Sequence, residues 1–92
     1  MNITDQQAQP IINMMESEFD SHDFISKFIQ LHQRDYEAIL AHFQGRKNLA
    51  HAYIANFLRI HAPKLGIDRN ARKKASYNVN GNKSENRIWN NQ

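Results

Sequence analysis

Apolar residues recur at helical spacing through the first two thirds of this chain. Tyr36, Ile39, Leu40 and Phe43 stand at i, i+3, i+4 and i+7, which is the stripe of an amphipathic helix. Similar stripes precede and follow this one, and each is bounded by residues that start or stop helices. The pattern predicts four helices, at about residues 8–18, 21–31, 33–43 and 48–61.

The start of the second helix carries the clearest local signal. Asp20 stands where a helix cap is needed, and Asp23 follows at the capping-box position three residues later. Phe19 and Phe24 occupy the two positions of a hydrophobic staple around this cap. We therefore expect a helix that begins at residue 21 and whose first turn is fixed by both aspartates.

Proline, glycine and asparagine predict the other helix ends. Pro10 suits a first helical turn, where its missing N–H has no helical partner, so residues 1–7 are expected to be frayed. Gly45 can end the third helix in a left-handed conformation, Asn48 is the expected cap of the fourth helix, and Pro63 is its expected stop. The predicted core consists of Phe24, Phe28, Ile39, Leu40, Phe43, Leu49, Tyr53, Phe57 and Leu58.

The last third of the chain changes in composition, because Asn, Lys and Arg become frequent. Asp68 is expected to cap a short basic turn over 69–74. Further on, apolar residues alternate with polar ones around Asn80-Gly81, a pair that favours a hairpin turn. Residues 75–92 are therefore predicted to form either a small β-hairpin or a partly ordered segment anchored by Trp89.

Length and composition set the scale of the molecule. With 92 residues, the chain is predicted to be one mainly α domain of four helices spanning 1–92. It contains no cysteine, which excludes disulfides, thiolate catalysis and cysteine-ligated zinc. The first residues lack the cationic and apolar pattern of a secretion signal, so the expected location is cytoplasmic, with no membrane partner.

The five histidines, at positions 22, 32, 42, 51 and 61, are too far apart to act as paired metal ligands. Ligands on one helix need a spacing of three or four residues, whereas a step of ten places neighbours about 80° apart around the axis. Asp20 and Asp23 are explained by capping, and no glycine-rich phosphate loop is present. We expect no enzymatic activity: no catalytic residue, no metal, no cofactor and no small-molecule substrate.

The charge is divided unequally along the chain. Residues 1–45 carry two Lys/Arg and seven Asp/Glu, a net charge of −5, whereas residues 46–92 carry ten and two, a net charge of +8. A basic half of this kind predicts a polar molecule with one cationic surface. Cations beside a helix start suit phosphate contacts, and Asn or Arg on an exposed helix suits base edges. The candidate nucleic-acid-binding residues are Arg46, Lys47, His51, Asn56, Arg59, Arg69, Arg72, Lys73 and Lys74.

The succession of helical elements, a basic turn and an Asn-Gly hairpin resembles a winged-helix domain. The resemblance implies a short first strand at Glu18-Phe19 and a wing over residues 76–90. Because the third helix carries Asp35 and Glu37, which would repel DNA, any recognition helix should be the fourth. Phe19-Asp20-Ser21-His22-Asp23-Phe24-Ile25, Tyr36 and the tail from Ser76 to Trp89 are similar to small uncharacterised bacterial proteins of about this length. That likeness implies no particular activity.

Two functions remain open from the sequence. The first is a non-enzymatic nucleic-acid-binding domain, regulatory in some form, that uses the basic second half. The second is a small helical protein–protein adaptor whose basic side meets an acidic protein surface. A salt-dependent interaction with duplex DNA would distinguish the two, because counterion release makes nucleic-acid binding steeply dependent on salt.

Overall fold

The computed structural model describes the backbone of residues 3–77, 81 and 83–91, with the side chains of these residues except 71–77 and 83–85. Within this part the molecule is mainly helical and carries a three-stranded antiparallel sheet. None of its helices has the length and apolar character needed to span a bilayer. In chain order the elements are α1 (Asp5–Met14), β1 (Glu18–Asp20), α2 (Ser21–Leu31), α3 (Gln33–His42), α4 (Lys47–Leu65), β2 (Ile67–Tyr77) and β3 (Lys83–Asn91).

The first helix begins and ends earlier than predicted. Thr4 and Gln7 form a capping box, in which the Thr4 hydroxyl accepts from the Gln7 N–H at 3.2 Å and the Gln7 side chain accepts from the Thr4 N–H at 3.1 Å. Ile3 is buried, so the expectation of a frayed segment over 1–7 is wrong for residues 3–7. Pro10 lies in the middle of α1 rather than in its first turn.

The second and third helices follow the prediction closely. The Asp20 carboxylate accepts from the Asp23 N–H at 2.9 Å, and the Asp23 carboxylate accepts from the Asp20 N–H at 3.1 Å. Phe19 and Phe24 are both buried beside this cap. After α3, Gly45 takes a φ of +80° and donates its N–H to Leu40. The predicted box and left-handed glycine are both confirmed.

The fourth helix is longer than predicted at its C-terminal end. Pro63 lies inside it, and the helix ends instead at Gly66, whose φ is +72° and whose N–H bonds to Ala62. A proline this close to the end removes a single bond, the one to the Arg59 carbonyl, and the helix continues for two residues. At the other end Arg46, not Asn48, takes the cap position, and its side chain makes no capping bond.

The sheet has the strand order β1-β3-β2. Phe19 on β1 stands opposite Trp89 on β3, and Tyr77 on β2 stands opposite Lys83. The hairpin prediction is thus confirmed, although the turn residues Val79 and Asn80 lie outside the described part. The predicted basic turn capped by Asp68 is wrong, because β2 already begins at Ile67 and runs through that segment with one irregularity between Arg69 and Lys73.

The core joins all four helices to the sheet, and its largest fully buried side chains include Trp89, Phe24, Phe28, Ile54 and Leu58. Most of the predicted core residues are buried, namely Phe24, Phe28, Ile39, Phe57 and Leu58, whereas Leu40, Phe43 and Tyr53 are only partly buried. Leu49 contradicts its prediction, with 40% of its surface exposed. The buried stripe of α4 runs through Ala50, Ile54, Leu58 and Leu65, so Leu49 falls on the opposite side.

Three polar contacts attach β3 to the first half of the chain. Trp89 donates its indole N–H to the Ser21 hydroxyl at 3.1 Å. Asn86 accepts from the backbone N–H of His22 at 3.0 Å. The side-chain N–H of Asn91 donates to the carbonyl of Ile12, which lies in the last turn of α1, at 2.8 Å. These contacts fix the position of β3, and with it the sheet, relative to α1 and α2.

Candidate nucleic-acid interface

One side of α4 faces away from the core along most of its length. The side is defined here as the outer face of α4, and it consists of Leu49, Ala52, Asn56, Arg59, Ile60 and Pro63, all of them exposed. Their spacing of three and four residues places them on one surface of the helix. Because no other described element packs over them, the outer face can contact another molecule without any rearrangement of the core.

Asn56 and Arg59 on the outer face are hydrogen-bonded to each other. The Asn56 side-chain oxygen accepts from Nε of Arg59 at 3.0 Å and from its Nη2 at 2.8 Å. The two residues are three apart, so their side chains meet on consecutive turns. The pair holds the guanidinium in a defined orientation on an otherwise exposed surface.

The beginning of α4 carries cations where most helices carry acidic or capping side chains. Arg46 occupies the cap position in an extended conformation, and Lys47 is the first residue of the helix; both are exposed. The first turn contains no acidic residue. The positive end of the helix dipole is thereby reinforced by two positive side chains, which makes this end attractive to an anion.

The predicted site residue His51 has a partner inside the protein. Its Nε2 lies 2.8 Å from the Tyr36 hydroxyl. Burial lowers the pKa of His51, and the positive charges of Lys47 and His22 lower it further. Burial also raises the pKa of Tyr36, so the phenol keeps its proton and forms a hydrogen bond with the imidazole. At neutral pH His51 therefore contributes little positive charge to the surface.

The basic residues of β2 form a second group. Arg69 is exposed and stands opposite Trp89 in the sheet. The backbone of Arg72, Lys73 and Lys74 continues along the same strand, while the side chains of these three residues lie outside the described part. The structure thus gives the course of the basic strand and the exposure of Arg69.

The candidate cations of α4 do not share one surface. Lys47 and Arg59 are twelve residues apart, which corresponds to about 18 Å along the axis and about 120° around it. Lys47 lies on the side that carries His51, whereas Arg59 lies on the outer face. The structure brings together two smaller groups, Lys47 with His51 at the start of the helix and Asn56 with Arg59 further along.

The carboxylates of the first half do not neutralise these cations. Asp5 lies 2.8 Å from Nδ1 of His61, Asp35 accepts from the Gln7 amide at 2.8 Å, and Asp20 and Asp23 cap α2. Among the residues described, Arg46, Lys47 and Arg59 form no ion pair with a carboxylate. The positive charge at both places on α4 is available to a partner.

The potential metal-binding side chains of the described part of the chain do not form a cluster. No three potential ligands among His, Asp and Glu come together there. A groove of about 410 Å³ opens beside Met14, Phe19 and Lys27, but its lining belongs to α1, β1, α2 and the loop between α1 and β1, and none of it to α4. The residues of the candidate interface and of the groove are therefore separate sets.

Two large apolar residues of the outer face, Leu49 and Ile60, are exposed. Leu49, which was predicted to lie in the core, is 40% exposed, and Ile60 is 59% exposed. The absence of any Asp or Glu between Glu37 and Asp68 is the sequence signal that marks this helix.

Comparison of the chain with family models, with curated proteins and with solved structures found no match.

Proposed function

We propose that this chain is a non-enzymatic nucleic-acid-binding domain that uses the outer face of α4 to contact a duplex. The observation that carries the proposal is the combination of exposure and charge on α4. The helix presents Asn56 and Arg59 outward, begins with Arg46 and Lys47, and has no carboxylate in its sequence. A polyanion meets attraction at both places and meets no competing negative side chain on the helix.

The order of the elements supports a winged-helix interpretation. A helix, a short strand, further helices and a two-stranded hairpin follow one another, and β3 lies between β1 and β2. In this interpretation α4 is the recognition helix, α3 is an additional helix before it, and β2 with β3 forms the wing. The basic residues Arg69, Arg72, Lys73 and Lys74 then belong to the wing, where they would contact phosphates.

The dimensions of α4 suit the proposed contact. Its 19 residues correspond to about 28 Å of helix, and a major groove about 12 Å wide accepts one α-helix. With the outer face in the groove, Arg46 and Lys47 lie near the end of the helix at which a backbone phosphate would be met. Base edges would be met at the Asn56–Arg59 pair, and a regulatory function would follow from sequence-selective binding.

A binding measurement with matched variants tests the proposal. The affinity for a short random-sequence duplex is measured by fluorescence anisotropy at about 50 mM and about 200 mM salt. Arg46→Ala combined with Lys47→Ala should weaken binding and reduce the salt slope by about 2. The control, Lys27→Ala with Arg34→Ala, removes the same charge from α2 and α3 and should leave binding unchanged. Equal effects of both pairs, or no binding by the unaltered chain, would contradict the proposal.

A protein–protein adaptor is the second candidate. The exposed Leu49 and Ile60 on the outer face favour it, because apolar side chains at the centre of a contact are typical of protein interfaces. An adaptor would bind an acidic protein surface through the same face with a weaker dependence on salt. Three results together would favour the adaptor. Binding would be lost in Ile60→Ser, it would be retained in the Arg46 and Lys47 double variant, and it would be retained at high salt.

A further inference from the structure

The Asn56–Arg59 pair offers a partner only hydrogen-bond donors and no acceptor. The amide oxygen of Asn56 has two lone pairs, and both are used by the two N–H groups of Arg59. The Asn56 amide nitrogen then points away with its two N–H groups, and the guanidinium keeps three more. The pair therefore presents five donors on the outer face of α4 and no acceptor.

This donor set distinguishes between the bases of a duplex. An asparagine that reads adenine must donate to N7 and also accept from N6, but the acceptor of Asn56 is already occupied. Cytosine offers a donor in the major groove, which this pair cannot accept. Guanine offers two neighbouring acceptors, N7 and O6, and matches the pair.

We propose that the Asn56–Arg59 pair is a guanine-reading device, in which Asn56 orients the guanidinium and Arg59 contacts N7 and O6 in the major groove. The inference rests on the proposed function, since it requires that the outer face meet a duplex. It assigns different roles to the two residues. Arg59 supplies the contact and the charge, whereas Asn56 is a positioning residue that contributes no charge.

Phosphate oxygens are also acceptors and are the other partner that suits a donor set. The exposure of Arg59 allows either contact, but the two contacts have different consequences. A phosphate contact adds the same affinity to every sequence, whereas a guanine contact adds affinity to some sequences only. The experiment therefore measures base preference and affinity separately.

Selection from a duplex library with one randomised segment identifies the preferred bases of the unaltered chain. A guanine should be enriched at one position at least, and replacing that guanine by 7-deazaguanine, which lacks N7, should weaken binding about tenfold. Arg59→Ala should remove the preference at that position. Asn56→Ala, which leaves the charge unchanged, should reduce the preference while affinity for random duplex stays within about twofold. Lys64→Ala, a control that removes a charge from the same helix, should leave the preferred base unchanged.

Two outcomes overturn the proposal in distinguishable ways. If Arg59→Ala weakens binding to all sequences equally and lowers the salt slope by about 1, Arg59 contacts a phosphate; the guanine assignment is then wrong while the nucleic-acid function stands. If the unaltered chain binds no duplex at low salt, both the proposed function and the guanine assignment are wrong. Enrichment of a base other than guanine at the position that depends on Arg59 likewise overturns the assignment.

Discussion

Trp89 on β3 donates its indole N–H to the hydroxyl of Ser21 in the first turn of α2, across 3.1 Å. Both side chains are buried, and the Ser21 hydroxyl also faces the Arg87 carbonyl at 3.5 Å. Ser21→Ala should lower the free energy of unfolding by about 2 kcal/mol, because the indole N–H then lies buried without an acceptor. Urea denaturation measures this change. Ser26→Ala, an exposed position on the same helix, should have little effect, and equal effects at the two positions would contradict the assignment.

The Asp20 cap should be worth about 1 kcal/mol. Asp20→Ala removes the acceptor for the Asp23 N–H and leaves the first turn of α2 without its side-chain cap. Asp20→Asn keeps an oxygen acceptor and should be milder, because Asn caps helices about as well as Asp. Thermal melts of the two variants provide the comparison. A melting temperature of Asp20→Ala equal to that of the unaltered chain would mean that the box does not stabilise α2.

Two leucines on α4 test the phase of this helix. Leu58 is fully buried, whereas Leu49 is 40% exposed. Leu58→Ala should cost about 3 kcal/mol, and Phe57→Ala about 3–5 kcal/mol, because both leave a cavity in the core. Leu49→Ala should cost well below 1 kcal/mol. Denaturant midpoints would measure all three, and a larger loss at Leu49 than at Leu58 would mean that the helix is rotated.

Stability should decline as the pH falls below about 6.5 because of His51. Its pKa in the folded chain is lowered from 6.5 by burial, by Lys47 and by His22. Well above pH 6.5 both states hold a neutral imidazole, so this contribution is constant. As the pH falls further, the unfolded chain binds the proton first and the folded state loses stability, until the pH has passed the lowered folded-state pKa.

His51→Gln should flatten this decline, since a side-chain amide can still hydrogen-bond to the Tyr36 hydroxyl and does not titrate. Unfolding midpoints at several pH values from about 5 to about 7.5 measure the difference between the variant and the unaltered chain. His42→Gln, an exposed position at the end of α3, is the matched control. If the curve for His51→Gln ran parallel to that of the unaltered chain over this range, His51 would not be the group responsible.

Lys73 and Lys74 should contribute to duplex binding without contributing to sequence preference. Replacing both by Ala should weaken binding to all duplexes alike and lower the salt slope by about 2. Lys27→Ala with Arg34→Ala removes equal charge from the first half and serves as the control. An unchanged slope in the Lys73 and Lys74 double variant would remove the basic strand from the proposed interface.

Local signals were sufficient to predict α2, since Asp20, Asp23, Phe19 and Phe24 are close neighbours in sequence. The start of α1 is also encoded locally, because Thr4 and Gln7 have the spacing of a capping box. The prediction instead placed Pro10 in the first turn, which moved the expected start to residue 8. The end of α4 was mispredicted at Pro63 for a related reason. A proline in the last turn removes one bond from a helix that the packing of Leu65 continues to stabilise.

Long-range contacts account for the rest. Which side of α4 is buried depends on where α1, α2 and β2 pack, so Leu49 and Leu58 could not be distinguished by spacing alone. The Ser21–Trp89 bond joins residues far apart in the sequence and has no local pattern. By contrast, the Asn56–Arg59 pair is separated by three residues, and a search for i, i+3 polar pairs on the fourth helix would have found it.

The strand order β1-β3-β2 has a consequence for the synthesis of the chain. The central strand, β3, is synthesised after β1 and β2, and β1 and β2 are not adjacent in the sheet. While the ribosome is still adding residues up to Lys83, the sheet has no strand to assemble on, and the centre of the core lacks Trp89. The apolar side chains that pack against Trp89 stay uncovered until then, so the sheet and the centre of the core can form only after β3 has emerged. A nascent chain stalled before Trp89 therefore exposes apolar surface of the kind that chaperones bind.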